Sequence, residues 1–290
     1  MCTPTSTSLT KNSSASLARD ANMTSSFATK VDVHQNGTLV VRDDWVAPEE
    51  PLEIQIHGSP LAVLMRTPGN DLELVSGFLL SERIVESFEM VESIRHCTAV
   101  TSPESEDNVV RVVLKPEWRA SHSVVPRNFY ASSSCGVCGK ATIEEALRTT
   151  KLVTSSFEVA SSVLQQLPAR LRQRQPMFTE TGGLHACGLF DAEGTEFAAY
   201  EDVGRHNAVD KVLGCAARRR LNFSDKLLIV SGRVSFEIVQ KASAVGISLV
   251  AGISAPSSLA IRFGEALGVT VVGFLRGSST KVYSRKHRVR

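Results

Sequence analysis

The chain has 290 residues, 42% of them hydrophobic and 21% charged, which is enough for one large or two small domains with packed cores. Lys and Arg number 32 against 30 Asp and Glu, so the formal charge is +2 and no nucleic-acid partner is expected. No apolar run approaches the roughly 18 residues that span a bilayer, so we expect no membrane association. Six cysteines without a visible signal peptide indicate a cytoplasmic protein, in which close cysteine pairs are catalytic or metal-binding rather than structural disulfides.

The predicted elements divide the chain into three parts. Residues 1–30 contain 13 Ser and Thr and little apolar surface to bury, which predicts a disordered tail. Residues 31–130 are predicted to form a smaller β-rich portion, with three short strands between Gly37 and Thr67, a helix over 72–84 and a buried strand at 109–114. Residues 131–290 alternate short apolar β-runs with helical patterns, which is typical of a mostly parallel sheet covered by helices.

Cys135 and Cys138 carry the strongest chemical signal in the sequence. Two thiols three residues apart can approach each other, hold one metal ion or relay sulfur. Gly136 and Gly139 reduce steric bulk around them, and a predicted helix follows directly. The dipole at the start of that helix, together with Lys140, would stabilise a thiolate. The pattern therefore predicts a nucleophilic sulfur on an exposed polar loop.

Three other interpretations of the cysteine pair remain open. A structural zinc site usually takes its remaining ligands from a second cysteine pair, which the sequence lacks. A thioredoxin-like redox pair would follow a strand, whereas here a Ser-rich loop precedes it. Plain structural cysteines in a turn are the third interpretation. The zinc deaminase signature is absent, because no H-x-E motif precedes the pair and the pair lacks its leading proline. We expect no resident metal.

Polar residues gather where one predicted strand passes into a helix. Seven of the eleven residues at 201–211 are charged, His or Asn, although the segment opens an apolar helix. In open α/β sheets this edge is where ligands bind, and a solvated helix start is the alternative. The residues concerned are Glu201, Asp202, Arg205, His206, Asn207, Asp210 and Lys211.

Three further loops after predicted strands carry Ser, Gly or Arg, at 231–235, 253–258 and 274–279. A strand, a glycine turn and a helix start together suit anions, and an arginine such as Arg233 can bind a phosphate in bidentate fashion. The combination favours a phosphate-bearing ligand. Neither the P-loop nor the dinucleotide-binding glycine motif is present, which disfavours an ordinary NTPase or Rossmann protein.

Together these motifs resemble the formate dehydrogenase accessory sulfurtransferase (FdhD) family. The matching segments lie, in the family's order, at 133–140, 181–190, 201–214, 231–242, 253–268 and 271–279. Residues 72–84 are similar to the family's first-half helix motif, so the resemblance covers about residues 50–284.

The resemblance implies a cytidine-deaminase-like α/β fold, with a mixed sheet flanked by helices, and a homodimer. It implies a sulfurtransferase that accepts persulfide sulfur from a cysteine desulfurase. The sulfur would pass to the molybdenum bis(molybdopterin guanine dinucleotide) cofactor, held as cargo for formate dehydrogenase. A cofactor-binding chaperone without catalysis, in which the cysteine pair is structural, is the alternative.

The resemblance also implies roles for individual residues. Cys135 matches the persulfide-bearing position and Cys138 the assisting one. Cys187 departs from the family, which often has a small residue there, and leaves open whether a third thiol participates. The residues assigned to the cofactor are Phe274, Leu275, Arg276, Gly277, Ser278, Ser279, Arg233, Arg205, His206 and Asn207.

Overall fold

A computed structural model describes residues 26–97, 107–121, 129–130, 150 and 152–290. Within these ranges the strands are β1 (Phe27–Gln35), β2 (Thr38–Val46), β3 (Glu50–Ile56), β4 (Ser59–Arg66), β5 (Val91–His96), β6 (Val109–Leu114), β7 (Phe129–Tyr130), β8 (His185–Phe190), β9 (Glu196–Asp202), β10 (Leu227–Val230), β11 (Leu249–Gly252), β12 (Thr270–Arg276) and β13 (Ser279–Val282). The helices are α1 (Asp71–Ser81), α2 (Pro116–Ser121), α3 (Ser161–Gln173), α4 (Pro176–Thr181), α5 (Arg205–Arg218), α6 (Phe236–Val245) and α7 (Ser258–Leu267). None of these helices is long and apolar enough to cross a membrane.

The first two strands form an antiparallel ribbon joined by a two-residue turn. Asn36 and Gly37 have φ of 52° and 77°, the left-handed geometry that a tight hairpin needs to match the twist of its strands. Because β1 begins at Phe27, the prediction of a disordered tail is wrong for residues 27–30. Pairing with β2 gives these four residues a partner that the composition of the tail does not reveal.

A five-stranded sheet in the order β5-β6-β3-β4-β7 follows the ribbon. Its inner face buries Leu52, Ile54 and Val112 against Leu74 and Leu79 of α1. The predicted helix over 72–84 is thus confirmed for most of its length, and it ends at Ser81.

The second half is built on a six-stranded sheet in the order β13-β12-β11-β10-β8-β9. Helices flank it, so the predicted fold class, a mixed sheet with a smaller β-rich N-terminal portion, is confirmed. The expectation of a mostly parallel sheet is wrong, because only two of the five neighbouring pairs in this sheet, β10–β11 and β11–β12, are parallel. Short connections join β8 to β9 and β12 to β13, and such hairpins produce antiparallel pairs.

Helices α1 and α5 bring the two halves into close contact. A Cβ atom at Gly77 would overlap the carbonyl oxygen of Asp210, and one at Gly214 would overlap that of Glu73. The two helix backbones therefore touch directly, which only glycine at these positions permits. This contact fixes the N-terminal sheet relative to the six-stranded sheet.

Candidate functional site

The loops that sequence analysis selected after residue 200 meet at one edge of the six-stranded sheet. Strands β10, β11 and β12 are parallel, so their carboxyl ends share that edge. Strand β8 runs the other way and begins there at His185, which pairs with Asp202 at the end of β9. Such an edge, where strand order and direction change, is a common ligand-binding position in α/β proteins.

A cluster of cations occupies the middle of this edge. Burial lowers the pKa of His185 below 6.5, and the neighbouring charges of Arg205 and Arg233 lower it further, against an opposing effect of Asp202. The imidazole lies against the backbone of Gly232, where an added Cβ would approach Nδ1 to 3.3 Å. His185 is therefore neutral near pH 7, and the positive charge comes from the two arginines.

Arg205 has a polar atom with no partner in the part of the chain that the structure describes. Its Nε is buried and makes no hydrogen bond there. An unsatisfied buried guanidinium N–H is costly, so such an atom calls for an explanation. An anion bound between Arg205 and Arg233 would supply the missing acceptor.

His206 and the start of α6 form the next part of the edge. His206 Nε2 lies 3.5 Å from Ser235 Oγ and 4.0 Å from Glu237 Oε2. Sequence analysis assigned His206 to the site but did not select Glu237. A carboxylate beside a histidine was not visible beforehand, because the two residues lie 31 positions apart in the chain.

The assigned segment at 274–279 forms the end of the β12–β13 hairpin. Arg276 pairs with Ser279 across the turn, and Gly277 has a φ of 55°, which suits glycine. Arg276 Nε donates to the carbonyl oxygen of Ile253 at 3.1 Å, so the turn adjoins the end of β11. Gly277, Ser278 and Ser279 are therefore exposed at the same edge as the cations.

Phe274 and Leu275 belong to the same segment, but the side chain of Leu275 points into the core and that of Phe274 contacts Lys281. Leu275 is fully buried in the core, so only its backbone can face a ligand. Phe274 adopts a φ of 51°, and its ring lies 4.6 Å from Lys281 Nζ, a cation–π contact.

Asp202, Asn207 and Lys211 form a buried network instead of facing the edge. Asp202 Oδ2 lies 2.8 Å from Lys211 Nζ and accepts from the backbone of Thr67 at 3.2 Å. Its Oδ1 accepts from the backbone of Gly204 at 2.8 Å and from Asn207 Nδ2 at 3.0 Å. These bonds connect the end of β4 to the turn that precedes Arg205.

Two other acids of the selected segment are also held by protein partners. Glu201 accepts from the backbone N–H groups of Met177 and Phe178 at 3.1 and 2.8 Å, and so anchors the start of α4. Burial raises the pKa of Glu201, although those two bonds oppose the shift. Asp210 is buried and forms an ion pair with Lys241, with 2.9 Å between Asp210 Oδ2 and Lys241 Nζ.

Cys135 and Cys138 lie outside the described residues. Cys187 is fully buried in β8, and burial, together with the carboxylate of Asp210, raises the pKa of its thiol. Burial and a raised pKa both disfavour the thiolate form that sulfur transfer requires, so the structure argues against Cys187 as a third participating thiol. Across the described ranges, no three His, Cys, Asp or Glu side chains come together to hold a metal ion.

The fold and this edge define a mixed α/β protein whose cationic loops converge at one side of a sheet. Comparison with known proteins extends that class to a family: the FdhD/NarQ family model matches residues 47–290. The chain is 45% identical over 258 residues to the sulfur carrier protein FdhD of Mycobacterium tuberculosis, covering 87% of this chain and 94% of that protein. The protein of the same name from Nocardia farcinica is 48% identical over 252 residues, with coverages of 86% and 89%.

A more distant relative and a solved structure match the chain over most of its length as well. The sulfur carrier protein FdhD of Sulfolobus acidocaldarius is 43% identical over 261 residues, covering 90% of this chain and 97% of that protein. A crystal structure from Desulfotalea psychrophila, assigned as a formate dehydrogenase accessory protein, superposes with a TM-score of 0.73 at 24% identity and covers 92% of this chain and 100% of that one. The last likeness shows the fold alone. The chain belongs to the FdhD/NarQ family, and the resemblance seen in its motifs is confirmed.

Proposed function

We propose that this protein is a sulfur carrier that receives persulfide sulfur from a cysteine desulfurase and transfers it to a molybdenum bis(molybdopterin guanine dinucleotide) cofactor. The cofactor is cargo for formate dehydrogenase, and the relay runs in the reducing cytoplasm that the cysteine usage predicts. The names of the relatives support sulfur carriage. The observation that carries the cargo half of the proposal is the buried Nε of Arg205, which has no hydrogen-bond partner among the described residues, at an edge where Arg205 and Arg233 both act on His185.

The cargo would be held through its phosphates. A guanine dinucleotide contains a pyrophosphate, and Arg205 and Arg233 offer charge-assisted donors at one edge. Arg276 and the glycine turn after it supply a further donor and an exposed backbone on the adjoining strand. His206 borders the same edge and is a polar contact for the remainder of the cargo.

The sulfur would travel through the cysteine pair. The Cys135 thiolate attacks the outer sulfur of the desulfurase persulfide, a new S–S bond forms on Cys135, and the desulfurase thiolate leaves. Cys138 then attacks the inner sulfur of the Cys135 persulfide, which releases hydrosulfide to the cargo and leaves a Cys135–Cys138 disulfide. A cellular dithiol reductant restores the two thiols. In this scheme the protein is a sulfurtransferase, with Cys135 as carrier and Cys138 as assisting thiol.

Intact-protein mass spectrometry tests the carrier assignment. After incubation with a cysteine desulfurase and cysteine, the wild-type protein should gain the mass of sulfur, and Cys135→Ala should not. Cys215→Ala is the matched control, since this partly buried thiol lies on α5 away from the edge, and it should load like the wild type. Sulfur that stays bound to Cys135→Ala overturns the assignment.

Maturation of formate dehydrogenase separates the relay from the chaperone alternative. A Cys135→Ala/Cys138→Ala variant should yield inactive formate dehydrogenase if sulfur passes through the pair. An active product from cells that contain only this variant would support a chaperone that binds cargo without transferring sulfur.

Calorimetry with guanosine diphosphate tests the cargo edge. Loss of one charge-assisted contact costs about 1.5–3 kcal/mol, so Arg233→Ala should weaken binding roughly 10- to 150-fold. Arg95→Ala removes an exposed arginine from β5 in the other sheet and should leave the affinity unchanged. Equal affinity of Arg233→Ala and the wild type would remove Arg233 from the site.

A further inference from the structure

The β1–β2 ribbon carries most of the exposed large hydrophobic side chains of the described chain. Six of the nine exposed large hydrophobic side chains in the described ranges lie on it, and they are Phe27, Leu39, Val40, Val41, Trp45 and Val46. Within those ranges β1 and β2 form a sheet of their own. A two-stranded hairpin is marginally stable in water unless it gains further strands or packs against a helix. Helix α4 contacts β2, whereas no strand other than β2 pairs with β1 in those ranges, so the outer edge of β1 is where a further strand can be added.

The edge of β1 that faces away from β2 presents backbone groups that can bond to another strand. The turn makes Gln35 and Thr38 a hydrogen-bonded pair, and hydrogen-bonded pairs recur at every second residue along the ribbon. The residues between them direct their backbone N–H and C=O groups away from β2, and these are Ala28, Lys30, Asp32 and His34. None of these groups bonds to another backbone in the described part of the chain. No proline or bulge interrupts β1 between Phe27 and Gln35, so the strand itself can accept another along this edge.

We infer that β1 pairs antiparallel with β1 of a second copy of this chain, centred on Val31, to form a four-stranded sheet across the interface. The charges select this register. With Val31 opposite Val31, Lys30 lies opposite Asp32 of the second copy, and the two-fold axis repeats the pair. One step either way places Lys30 opposite Lys30, or Asp32 opposite Asp32, and like charges directly opposite each other destabilise a sheet. Larger shifts shorten the overlap.

The same register also satisfies the backbone. The outward groups of Lys30 meet those of Asp32, and those of Ala28 meet those of His34, which makes about eight new backbone hydrogen bonds. On one face of the sheet Phe27, Val31 and Val33 of the two copies form a continuous apolar stripe. Lys30 already lies 2.9 Å from Asp43, so each lysine sits between two carboxylates in the pair. A second copy therefore satisfies the outward backbone groups of β1 and pairs its charges, whereas Leu39, Val41 and Trp45 of β2 lie on the other face of the sheet.

This inference goes beyond the proposed sulfur transfer and is independent of it. The family resemblance implies a dimer but assigns no surface to it, whereas the ribbon assigns a strand and a register. A failed cross-link at the ribbon would leave the desulfurase experiment untouched, and a failed desulfurase experiment would leave the ribbon interface untouched.

Disulfide cross-linking of the full-length chain tests the register. In Val31→Cys the two new thiols belong to a non-hydrogen-bonded pair with Cα atoms about 4.5 Å apart, so copper–phenanthroline with dissolved oxygen should oxidise them to a covalent dimer. In the matched control, Thr29→Cys, the two thiols lie four residues apart along the strand, about 13 Å, which is beyond the roughly 7 Å limit. Peptide mapping under non-reducing conditions distinguishes the new 31–31 bond from bonds of the native cysteines.

Light scattering after size exclusion tests the charges. Asp32→Lys replaces two attractive pairs by two repulsive ones and should raise the dimer dissociation constant about tenfold. Asp44→Lys makes the same charge change on β2, away from the free edge, and should leave the constant within a factor of two of wild type. A monomeric wild type, or a Val31→Cys cross-link no stronger than that of Thr29→Cys, overturns the inference.

Discussion

Replacement of Lys241 by methionine perturbs a buried cluster in which α6 meets α5 and the end of α1. Lys241 Nζ donates to both carboxylate oxygens of Asp210 at 3.1 and 2.9 Å, to Ser81 Oγ at 2.9 Å and to Glu82 Oε1 at 2.9 Å. Asp210 is 2% exposed and Lys241 5% exposed, so water cannot replace the lost ammonium. Methionine has a stem of similar length, so Lys241→Met removes the charge without opening a large cavity.

The expected loss is about 3–5 kcal/mol of unfolding free energy near neutral pH, the usual cost of leaving one member of a buried pair uncompensated. Lys115→Met, a change of the same kind at an exposed position, should cost less than about 0.5 kcal/mol. In Lys241→Met/Asp210→Asn neither charge remains, so the double variant should recover about half of the loss or more. The contrast between single and double variants isolates the charge from the packing.

The loss in Lys241→Met should also depend on pH. Burial already raises the pKa of Asp210, against the opposing effect of Lys241, and removing the lysine raises it further. The folded carboxyl then holds its proton to higher pH than the unfolded one. The penalty is therefore full above the folded pKa and is relieved as the pH falls through it.

Equilibrium unfolding in guanidinium chloride at pH 8 and pH 5 measures these terms. The deficit of Lys241→Met relative to wild type should be larger at pH 8 than at pH 5. A loss below about 1 kcal/mol at pH 8, or a double variant no more stable than the single one, would refute the reasoning.

Three further predictions concern the helix contact, the histidine and the buried thiol. Gly77→Ala forces a methyl group onto a backbone oxygen and should lower Tm by roughly 5–10 °C in a thermal melt. Its neighbour Ser76→Ala loses one hydrogen bond, about 1 kcal/mol, and should lower Tm by only about 2–4 °C. His185 has a folded pKa below 6.5, so the wild type loses stability as pH falls through 6.5, and His185→Gln should show a smaller drop in Tm between pH 7.5 and pH 5.5. An equal drop would contradict the assignment. Cys187→Ala should load persulfide sulfur as fully as the wild type in the mass measurement, because its thiol is buried and protonated, and reduced loading would contradict this.

The sequence predicted the secondary structure of the second half well, because its strands are short apolar runs and its helices are amphipathic. The sequence also predicted that the polar loops after successive strands meet at one edge of the sheet, because the topology alone brings them together. It could not separate the residues that face the edge from those beneath it. Asn207 was assigned to the cargo, yet Nδ2 of its side chain donates to the carbonyl oxygen of Met65, 142 positions earlier in the chain.

Contacts of that range leave no trace in local spacing, so a buried polar network and a binding site share the same local pattern. A run of charged residues that opens an apolar helix is the pattern of both. His185 shows the reverse case, because it lies in the matching segment 181–190 but was assigned no role from the sequence. Only the antiparallel pairing of β8 with β10 brings it beside Arg205 and Arg233.

The orientation of the edge depends on the buried network beneath it. Four donors saturate the two oxygens of Asp202, so this carboxylate has no capacity left to hold a ligand. Two of those bonds, from Gly204 and Asn207, fix the turn on which Arg205 stands. The guanidinium therefore points from a rigid base, which lowers the entropy that an anion must overcome on binding. Residues that never touch the cargo thus orient the edge. Within 201–211, some polar side chains form the buried network and others, such as Arg205, face the proposed ligand.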